Sequence, residues 1–312
     1  PLLPPEGGSS SLQDFVLTGG FARATLLELK AQSSKLIPYQ LSATSYPPRS
    51  SVIGPRSFLY QLFPMLPILG VNIHTTSYSD AAQKIINWAK AGESRMVCAA
   101  NVHMIMKAHD NPGYKAILNN ADLVTPDGKP LVSMLRRLGA QGQERVYGPD
   151  LMLYVLDAAE KEGLGIGFYG SEPKVLKALV SKMQEQYPGL RIVYSFSPPF
   201  CALREYEPAK IKTEISSAQP RILFVALDCP KQERWMATQL HEIPSVMLGV
   251  GAAFDMHAGA KKQTPLWMRK IGLDWLFRLV NEPKRLWRRY LFNNPRFVWY
   301  AFLQRIGRHH VE

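Results

Sequence analysis

The sequence predicts an α/β fold in which a mostly parallel sheet is flanked by helices. After residue 64, short runs of β-branched and aromatic residues alternate with amphipathic stretches, the pattern of repeated βα units. Serine, aspartate or proline stands at the start of several amphipathic stretches, where helices begin. The chain has 312 residues, 46% of them hydrophobic, so it can bury a core of ordinary size.

This alternation predicts six strands and six helices in a Rossmann-like order. The strands are predicted at residues 95–99, 121–124, 165–169, 191–195, 221–226 and 245–250. The helices are predicted at residues 79–91, 112–119, 130–138, 150–162, 171–186 and 231–240. Ser79 or Asp80 is the expected N-cap of the first helix, and Ser171 that of the fifth.

Composition divides the chain into three segments. Residues 1–65 are rich in Pro, Ser and Gly without a sustained period, which predicts a poorly structured N-terminal extension with one short helix at residues 21–33. Residues 66–260 carry the βα pattern and form the predicted α/β domain. Residues 261–312 are basic and aromatic, and are predicted to form a helical C-terminal appendage.

The positive charge is concentrated in this appendage. The whole chain has 37 Lys and Arg against 25 Asp and Glu, a net charge of +12. Twelve Lys and Arg against three Asp and Glu lie from Lys261 onward, which gives that segment +9, together with ten aromatic residues between Trp267 and Phe302. A cationic, aromatic helix surface is typical of contact with anionic lipid headgroups, so an anionic membrane surface is the predicted partner.

Cysteine usage and hydropathy narrow the class further. Three widely spaced cysteines offer neither a disulfide framework nor a CxxC metal site, and they fit a reducing compartment. No apolar run reaches the roughly 18 to 20 residues of a membrane-spanning helix. The histidines lack metal-ligand spacing and no DxD-like pair of carboxylates stands out, so no metal site is predicted.

Asp127 is the strongest candidate for chemistry. It directly follows a predicted strand, at the carboxyl end where open α/β sheets bind their ligands, and an aspartate there is suited to act as a general base. The alternative is that Pro126, Asp127 and Gly128 form a β-turn in which the aspartate makes a local backbone bond.

Two further strand ends carry polar or glycine residues. Gly165, Gly167 and Gly170 spell GxGxxG, but the first two fall inside the strand, which leaves a turn at Gly170 and Ser171 whose amides suit a phosphate or a sugar hydroxyl. Lys231 and Gln232 begin a helix after another strand and suit a diphosphate; the alternative is an ordinary helix start with solvated charges.

The segment LGVGAAFDMHAG predicts a wall for a flat ligand. Its small residues, Gly251 among them, allow close approach of the backbone, and Phe254 and Asp255 add stacking and hydrogen-bonding capacity. A nucleotide base and ribose would fit against such a wall.

Taken together, these segments resemble the WecG/TagA/CpsF family of bacterial glycosyltransferases. The resemblance runs from about Gly70 to about Phe297 and rests on ordered blocks. These are GVNIHTTSYSDAAQKI, AANVHMIMKA, ADLVTPDGKPLV, RVYGPDLM, IGFYGSEPKV, LFVALDCPKQERWM, MLGVGAAFDMHAGAKKQTPLWMRKIGLDWLFRL and NEPKRLWRRY. Many blocks in one order are far more specific than any single motif.

The resemblance implies a reaction and roles for its residues. The family transfers an N-acetylmannosamine-type sugar from a UDP donor to a polyprenyl-diphosphate-linked acceptor, with inversion and without metal or cofactor, in surface polysaccharide and teichoic acid synthesis. Asp127 matches the aspartate that deprotonates the acceptor hydroxyl. Arg278, Arg285 and Arg288 match arginines that neutralise the departing diphosphate, and their spacings of seven and three predict one shared helical face.

Other site residues carry over in the same way. The resemblance implies that Asn101 lies beside Asp127, that Gln232 contacts the sugar or the diphosphate, and that Gly251 to Asp255 form the nucleotide wall. It also implies a cytoplasmic protein peripheral to the inner membrane face, and self-association. Ala99 departs from the family, because many relatives have Thr two residues before the asparagine, so a hydroxyl contact is missing.

Two other classes of function are weighed against this one. A nicotinamide-dependent oxidoreductase or epimerase requires an acidic residue about 20 positions after the glycine turn, and the sequence near Leu190 has none. A basic nucleic-acid-binding module also interleaves aromatic and basic residues. In such a module the positive charge would not be confined to one end of the chain, away from the pocket motifs, as it is here. We therefore expect no nucleic-acid partner.

Overall fold

The computed structural model describes residues 64–199 and 208–307. The predicted helix at residues 21–33 and all but the last two residues of the predicted N-terminal extension lie outside these ranges. The described part is an α/β fold with a six-stranded parallel sheet, which confirms the predicted fold class.

A small antiparallel hairpin precedes the main sheet, and the sequence analysis missed it. Strands β1 (Met65–Ile68) and β2 (Val71–His74) are joined by Leu69 and Gly70, both with positive φ. A two-residue turn of this kind is usually signalled by Asn-Gly or Asp-Gly, and Leu-Gly does not carry that signal.

All six predicted strands form the main sheet, with ends within two residues of the prediction. They are β3 (Arg95–Ala100), β4 (Leu123–Pro126), β5 (Gly165–Gly170), β6 (Arg191–Phe196), β7 (Ile222–Ala226) and β8 (Val246–Gly249). Their order across the sheet is β4-β3-β8-β7-β5-β6, and every pair is parallel. All carboxyl ends therefore lie along one edge of the sheet.

Helices cover both faces of this sheet. They are α1 (Tyr78–Ala91), α2 (Val102–Asp110), α3 (Pro112–Asn119), α4 (Lys129–Arg137), α5 (Gly148–Lys161), α6 (Pro173–Gln186), α7 (Pro208–Ala218), α8 (Lys231–Gln239) and α9 (Ala253–His257). Alternate residues of a strand enter opposite layers of the core. In β7, Ile222 and Phe224 pack with α1, α5 and α6, whereas Leu223 and Val225 pack with α2, α3 and α8.

Two predicted helix caps are wrong. The N-cap of α1 is Ser77, whose hydroxyl accepts a hydrogen bond from the Asp80 amide. The N-cap of α6 is Glu172, because Ser171 is held in the left-handed region with φ of 62°. Near the start of α1 several capping residues follow one another, and sequence pattern does not choose among neighbours. At α6, Glu172 is the N-cap without a side-chain hydrogen bond.

The C-terminal appendage consists of helices packed against the α/β domain. They are α10 (Leu266–Ile271), α11 (Asp274–Asn281) and α12 (Pro283–Arg305). One face of α12 docks on α2 and on the β1–β2 hairpin. Its contacts are Arg289 with Asn101, Asn293 with His103, Arg296 with Asp110, Tyr300 with His109, and Gln304 with the backbone of Pro67 and Leu69.

The remaining faces of these helices expose apolar side chains. Of thirteen exposed large apolar residues in the described part, twelve belong to the region from Trp267 to Ile306. A groove of about 900 Å³ runs between α11 and α12, lined by Trp275, Trp287, Leu291 and Trp299 among others. Within residues 64–199 and 208–307, no helix is long and apolar enough to cross a membrane.

The docking of α12 predicts unequal effects of two neighbouring substitutions. Phe297 is buried against the layer that contains α2 and β1, whereas Val298 is 67% exposed. Phe297→Ala should lower the free energy of unfolding by about 3 kcal/mol, because it leaves a cavity in that layer. The matched control Val298→Ala should change it by less than about 0.5 kcal/mol. Urea denaturation measures both, and equal effects would contradict the docking of α12.

Candidate active site

Four adjacent strands bring candidate residues together at the carboxyl edge of the sheet. Asp127 follows β4, Asn101 follows β3, Gly251 follows β8, and Gln232 lies at the start of α8 after β7. The backbone amide of Asp127 donates to the Ala100 carbonyl at 2.9 Å, so the ends of β4 and β3 are joined directly. The sheet order thus assembles a site from segments more than 100 residues apart.

The Asp127 carboxylate is held by two groups that are distant in sequence. Its Oδ2 accepts a hydrogen bond from the Gly148 amide at 3.1 Å, and its Oδ1 lies 3.3 Å from a terminal nitrogen of Arg145. The side-chain bonds of Asp127 therefore reach beyond its own turn. Burial raises the pKa of Asp127, while Arg145 and the Gly148 amide oppose this rise. The result is an oriented carboxylate with more than usual basicity.

Gly148 lets the backbone pass close to Ala99 and to the Asp127 carboxylate. A Cβ at this position would lie 3.2 Å from the Cβ of Ala99 and 3.5 Å from Oδ2 of Asp127. The residue thus allows the backbone to come close enough to donate to the carboxylate. Ala99, the departure noted in the sequence, lies against Gly148 and presents only a methyl group.

Arg145 is a site residue that the sequence analysis missed. Its side chain is only 14% exposed, and it bonds to both the carboxylate and the carbonyl of Asp127. Another terminal nitrogen lies 3.0 Å from Oδ2 of Asp274, the first residue of α11. Arg145 lies in the block RVYGPDLM, but nothing in that block distinguishes it from a surface arginine. Its importance comes from spatial neighbours alone.

Tyr147 forms an aromatic wall beside Arg145. The guanidinium group of Arg145 lies 4.3 Å from the centre of the Tyr147 ring, and that of Arg269 lies 4.8 Å from it. Arg269 belongs to α10 and also pairs with Asp150 at the start of α5. These cation–π contacts and this ion pair fasten the appendage beside the carboxylate.

The three predicted arginines do not share one helical face. Helix α11 ends at Asn281 and α12 begins at Pro283, because proline cannot continue a helix through its own position. Arg278 is near enough to Asp127 for its positive charge to oppose the rise in the aspartate's pKa. Within the described ranges, no carboxylate lies within 4 Å of the Arg278 guanidinium.

Arg285 and Arg288 lie farther out. Arg285 pairs with Glu282 at 2.6 Å and lies 3.8 Å from the exposed Asp228, which puts it at the rim of the cleft. Arg288 is exposed and lies over the Trp287 ring at 5.2 Å. Its neighbour Arg289 enters the cleft instead, where a terminal nitrogen donates to the side chain of Asn101 at 3.3 Å.

Asn101 and Gly128 complete the wall next to Asp127. The Asn101 side chain is the N-cap of α2 and accepts from the amides of His103 and Met104. A Cβ on Gly128 would lie 3.6 Å from the Cα of Asn101, so the loops after β3 and β4 pack closely. The structure therefore brings Asn101, Asp127 and Gly128 together.

Gln232 supports the predicted nucleotide wall from behind. The side chain is 5% exposed; its Oε1 accepts from the Gly251 amide at 2.9 Å and its Nε2 donates to Glu233 at 3.0 Å. Its amide group is thus engaged by the protein, and its clearest role is to hold the Gly251 backbone. Lys231, one residue earlier, is exposed at the first turn of α8.

The predicted stacking role of Phe254 is wrong. Phe254 is fully buried and packs edge-on against Phe168, with ring centres 5.5 Å apart, so its ring is not available to a base. The small residues before it mark the end of a buried strand, and an aromatic residue there fills the core. Asp255 is partly exposed and pairs with Lys261 at 3.1 Å.

Gly170 and Ser171 lie apart from Asp127. Strand β5 is four positions from β4, which separates them by about 19 Å at normal strand spacing. The Ser171 amide donates to the Ala226 carbonyl at 2.9 Å. The prediction that this amide binds a phosphate is therefore wrong. A Cβ on Gly170 would lie 2.4 Å from the same carbonyl oxygen, which explains the glycine without a dinucleotide.

Comparison with known proteins identifies similar chains. The glycosyl transferase WecG/TagA/CpsF family matches residues 66–311. An N-acetylglucosaminyldiphosphoundecaprenol N-acetyl-beta-D-mannosaminyltransferase of Bacillus subtilis is 31% identical over 222 residues, 71% of this chain and 84% of the relative. A protein of the same description from Bacillus spizizenii is 30% identical over 203 residues, 65% and 76% of the two chains. One from Staphylococcus aureus is 26% identical over 224 residues, 71% and 86%.

The bridge made by Arg145 predicts a large loss of stability when it is removed. Arg145→Met leaves the carboxylates of Asp127 and Asp274 without their partner in a largely buried setting, which should cost about 3 kcal/mol or more. The matched control Lys90→Met breaks an exposed pair with Glu162 and should cost less than about 1 kcal/mol. Chemical denaturation compares the two, and similar small losses would contradict a structural bridge.

Proposed function

We propose that this chain, which belongs to the glycosyl transferase WecG/TagA/CpsF family, transfers an N-acetylmannosamine-type sugar from a UDP donor to a polyprenyl-diphosphate-linked acceptor. The chain is a glycosyltransferase of polysaccharide biosynthesis. The finer assignment is supported by the relatives, whose description names an N-acetylmannosaminyl group and an N-acetylglucosaminyl-diphosphoundecaprenol. The observation that carries the proposal is the oriented Asp127 carboxylate, held at the carboxyl edge of the sheet beside Arg278.

In the proposed reaction, Asp127 is the general base. It removes the proton from the acceptor hydroxyl, whose oxygen attacks the anomeric carbon as the bond from that carbon to UDP breaks. A single displacement of this kind inverts the anomeric configuration. The raised pKa of Asp127 favours proton uptake, and the Gly148 amide together with Arg145 fixes the direction of the carboxylate.

Guanidinium groups, without a metal ion, neutralise the departing diphosphate in this proposal. Arg278 is suited to this role, because its charge is close to Asp127 and has no carboxylate partner within ion-pair distance among the described residues. Arg285 at the rim would meet the diphosphate as it enters or leaves. Arg288 faces outward beside Trp287, which suits a lipid headgroup better than the reacting atoms.

The nucleotide would lie along the loop after β8. Gly251 has a positive φ of 52° and its backbone is fixed by Gln232, so this loop offers a rigid wall without side chains. On the opposite side of the cleft, Asn101 and Gly128 lie next to Asp127, the proposed general base. We assign Lys231 and Asp255 to the outer part of this wall, where each side chain reaches solvent.

The appendage suits attachment to the inner face of an anionic membrane. Its helices expose nearly all of the large apolar side chains found on the described surface, and the segment from Lys261 carries a net charge of +9. Apolar burial and attraction to anionic headgroups act together on such a surface. A peripheral position would bring the cleft next to a lipid-linked acceptor. Self-association stays a prediction.

Asp127→Asn tests the proposed base. Turnover should fall by about 100-fold or more, because the amide cannot accept the proton while its shape preserves the site. The measurement is transfer from several UDP-sugars to a short-chain lipid diphosphate acceptor, with product identification. The control Asp157→Asn alters an exposed helix carboxylate that pairs with Lys161 and should leave turnover unchanged. Unchanged turnover in Asp127→Asn would remove this residue from the mechanism.

The pH dependence of transfer follows from the same carboxylate. Asp127 acts as a base only when deprotonated, so kcat/KM should decline as the pH falls through its pKa. Burial raises that pKa, so the decline should begin at a higher pH than for an exposed aspartate. Arg145→Met removes a charge that lowers the pKa, so its acid limb should move further upward. An acid limb that stayed in place or moved down would contradict the assignment.

The apolar surface of the appendage predicts binding to lipid vesicles. Trp287→Ser, Leu291→Ser and Trp299→Ser together should reduce co-sedimentation with anionic vesicles by about 10-fold or more, because three exposed apolar anchors are lost. The substitutions lie on the solvent side of α12 and should leave the melting temperature unchanged. Undiminished binding of this variant would mean that another surface meets the membrane.

A further inference from the structure

Arg289 carries a positive charge into the cleft without a negative partner. One terminal nitrogen donates to Asn101 at 3.3 Å, and Nε is buried with no hydrogen-bond partner among residues 64–199 and 208–307. Within those ranges, no carboxylate lies within 4 Å of this guanidinium. A desolvated cation in such surroundings is unfavourable unless an anion joins it.

Other positive charges converge on the same place. Burial lowers the pKa of Arg289, and the charges of Arg278 and Arg285 act in the same direction. Arg278 comes from α11 and Arg289 from α12, so the break at Pro283 lets two helices direct guanidinium groups into one cleft. Arg285 is paired with Glu282. Arg278 and Arg289, however, have no carboxylate within 4 Å in the described ranges, and two such charges favour a multivalent anion between them.

A purely structural role for Arg289 accounts for less of this geometry. Helix α12 is already docked by Asn293 on His103 at 2.9 Å, by the doubly bonded pair of Arg296 with Asp110, and by Gln304 on the hairpin. Burial lowers the pKa of His103 to about 3, so this docking contact is neutral. A neutral side chain would serve equally well at position 289, without an unpaired buried charge.

We propose that Arg289 is a further contact for a diphosphate group, which it binds together with Arg278 on the Asn101 side of the cleft. This inference rests on the proposed function and deepens it, since both the UDP donor and the polyprenyl-linked acceptor carry a diphosphate. Asn101 follows β3 and Asp127 follows the neighbouring strand β4. The diphosphate would therefore lie beside the base, between guanidinium groups from two helices.

The variants Arg289→Met and Arg289→Lys test this contact in the full chain. Methionine keeps apolar bulk without charge, and lysine keeps charge without the planar fork. Asn293→Ala is the matched control, because it removes a docking contact one turn further along α12. Melting temperatures are measured with and without inorganic pyrophosphate, and KM is measured separately for UDP-sugar and for lipid diphosphate acceptor.

The proposal predicts a specific combination of results. Pyrophosphate should raise the melting temperature of the wild type and of Asn293→Ala, but not that of Arg289→Met. One of the two KM values should rise by about 10-fold or more in Arg289→Met, with a smaller rise in Arg289→Lys, because a charge-assisted hydrogen bond is lost. The KM that rises identifies whether the donor or the acceptor diphosphate is bound. Without ligand, Arg289→Met should melt no lower than wild type.

Other outcomes overturn the proposal or separate it from the proposed function. If Arg289→Met lowers stability as Asn293→Ala does, with both KM values and the pyrophosphate effect unchanged, Arg289 only docks α12. If pyrophosphate stabilises no variant, there is no diphosphate site. If the wild type transfers none of the sugars but pyrophosphate stabilises it through Arg289, the diphosphate site stands and the proposed reaction fails.

Discussion

The site depends on one guanidinium group held between two carboxylates. Arg145 bonds to Asp127 at the end of β4 and to Asp274 at the start of α11, and all three side chains are largely shielded from water. In that setting each charge requires the others, because removing one would leave an unpaired ion in a poorly solvated place. The orientation of the proposed base and the attachment of the appendage are therefore parts of one interaction.

The appendage completes the cleft, and only some of its arginines form ion pairs. Arg278 and Arg289 reach the cleft without a carboxylate partner in the described part of the chain, whereas Arg285 and Arg296 are paired. Stability alone would favour pairing all four. The unpaired ones are the ones beside Asp127 and Asn101, which is the distribution expected where a negatively charged substrate supplies the missing partner.

Sequence reasoning recovered the sheet and the location of Asp127, because βα periodicity and strand ends are local signals. It did not find Arg145 or Arg289, since their meaning lies in neighbours that are distant in sequence. It wrongly placed three arginines on one helix face because a seven-and-three spacing was counted across Pro283. Phe254 was misassigned for a related reason: an aromatic residue after a glycine turn has the same pattern whether it points to a ligand or to the core.

The two faces of α12 have a consequence for any shortened form of this enzyme. Phe297 fills the core layer beside α2, and Gln304 holds the turn at Leu69, so the last long helix helps to build the very domain it covers. Ending the chain at residue 260 would remove the arginines, and it would also expose α2 and the β1–β2 hairpin to solvent. A truncated protein would then report on a damaged scaffold, and loss of activity in it would say little about catalysis.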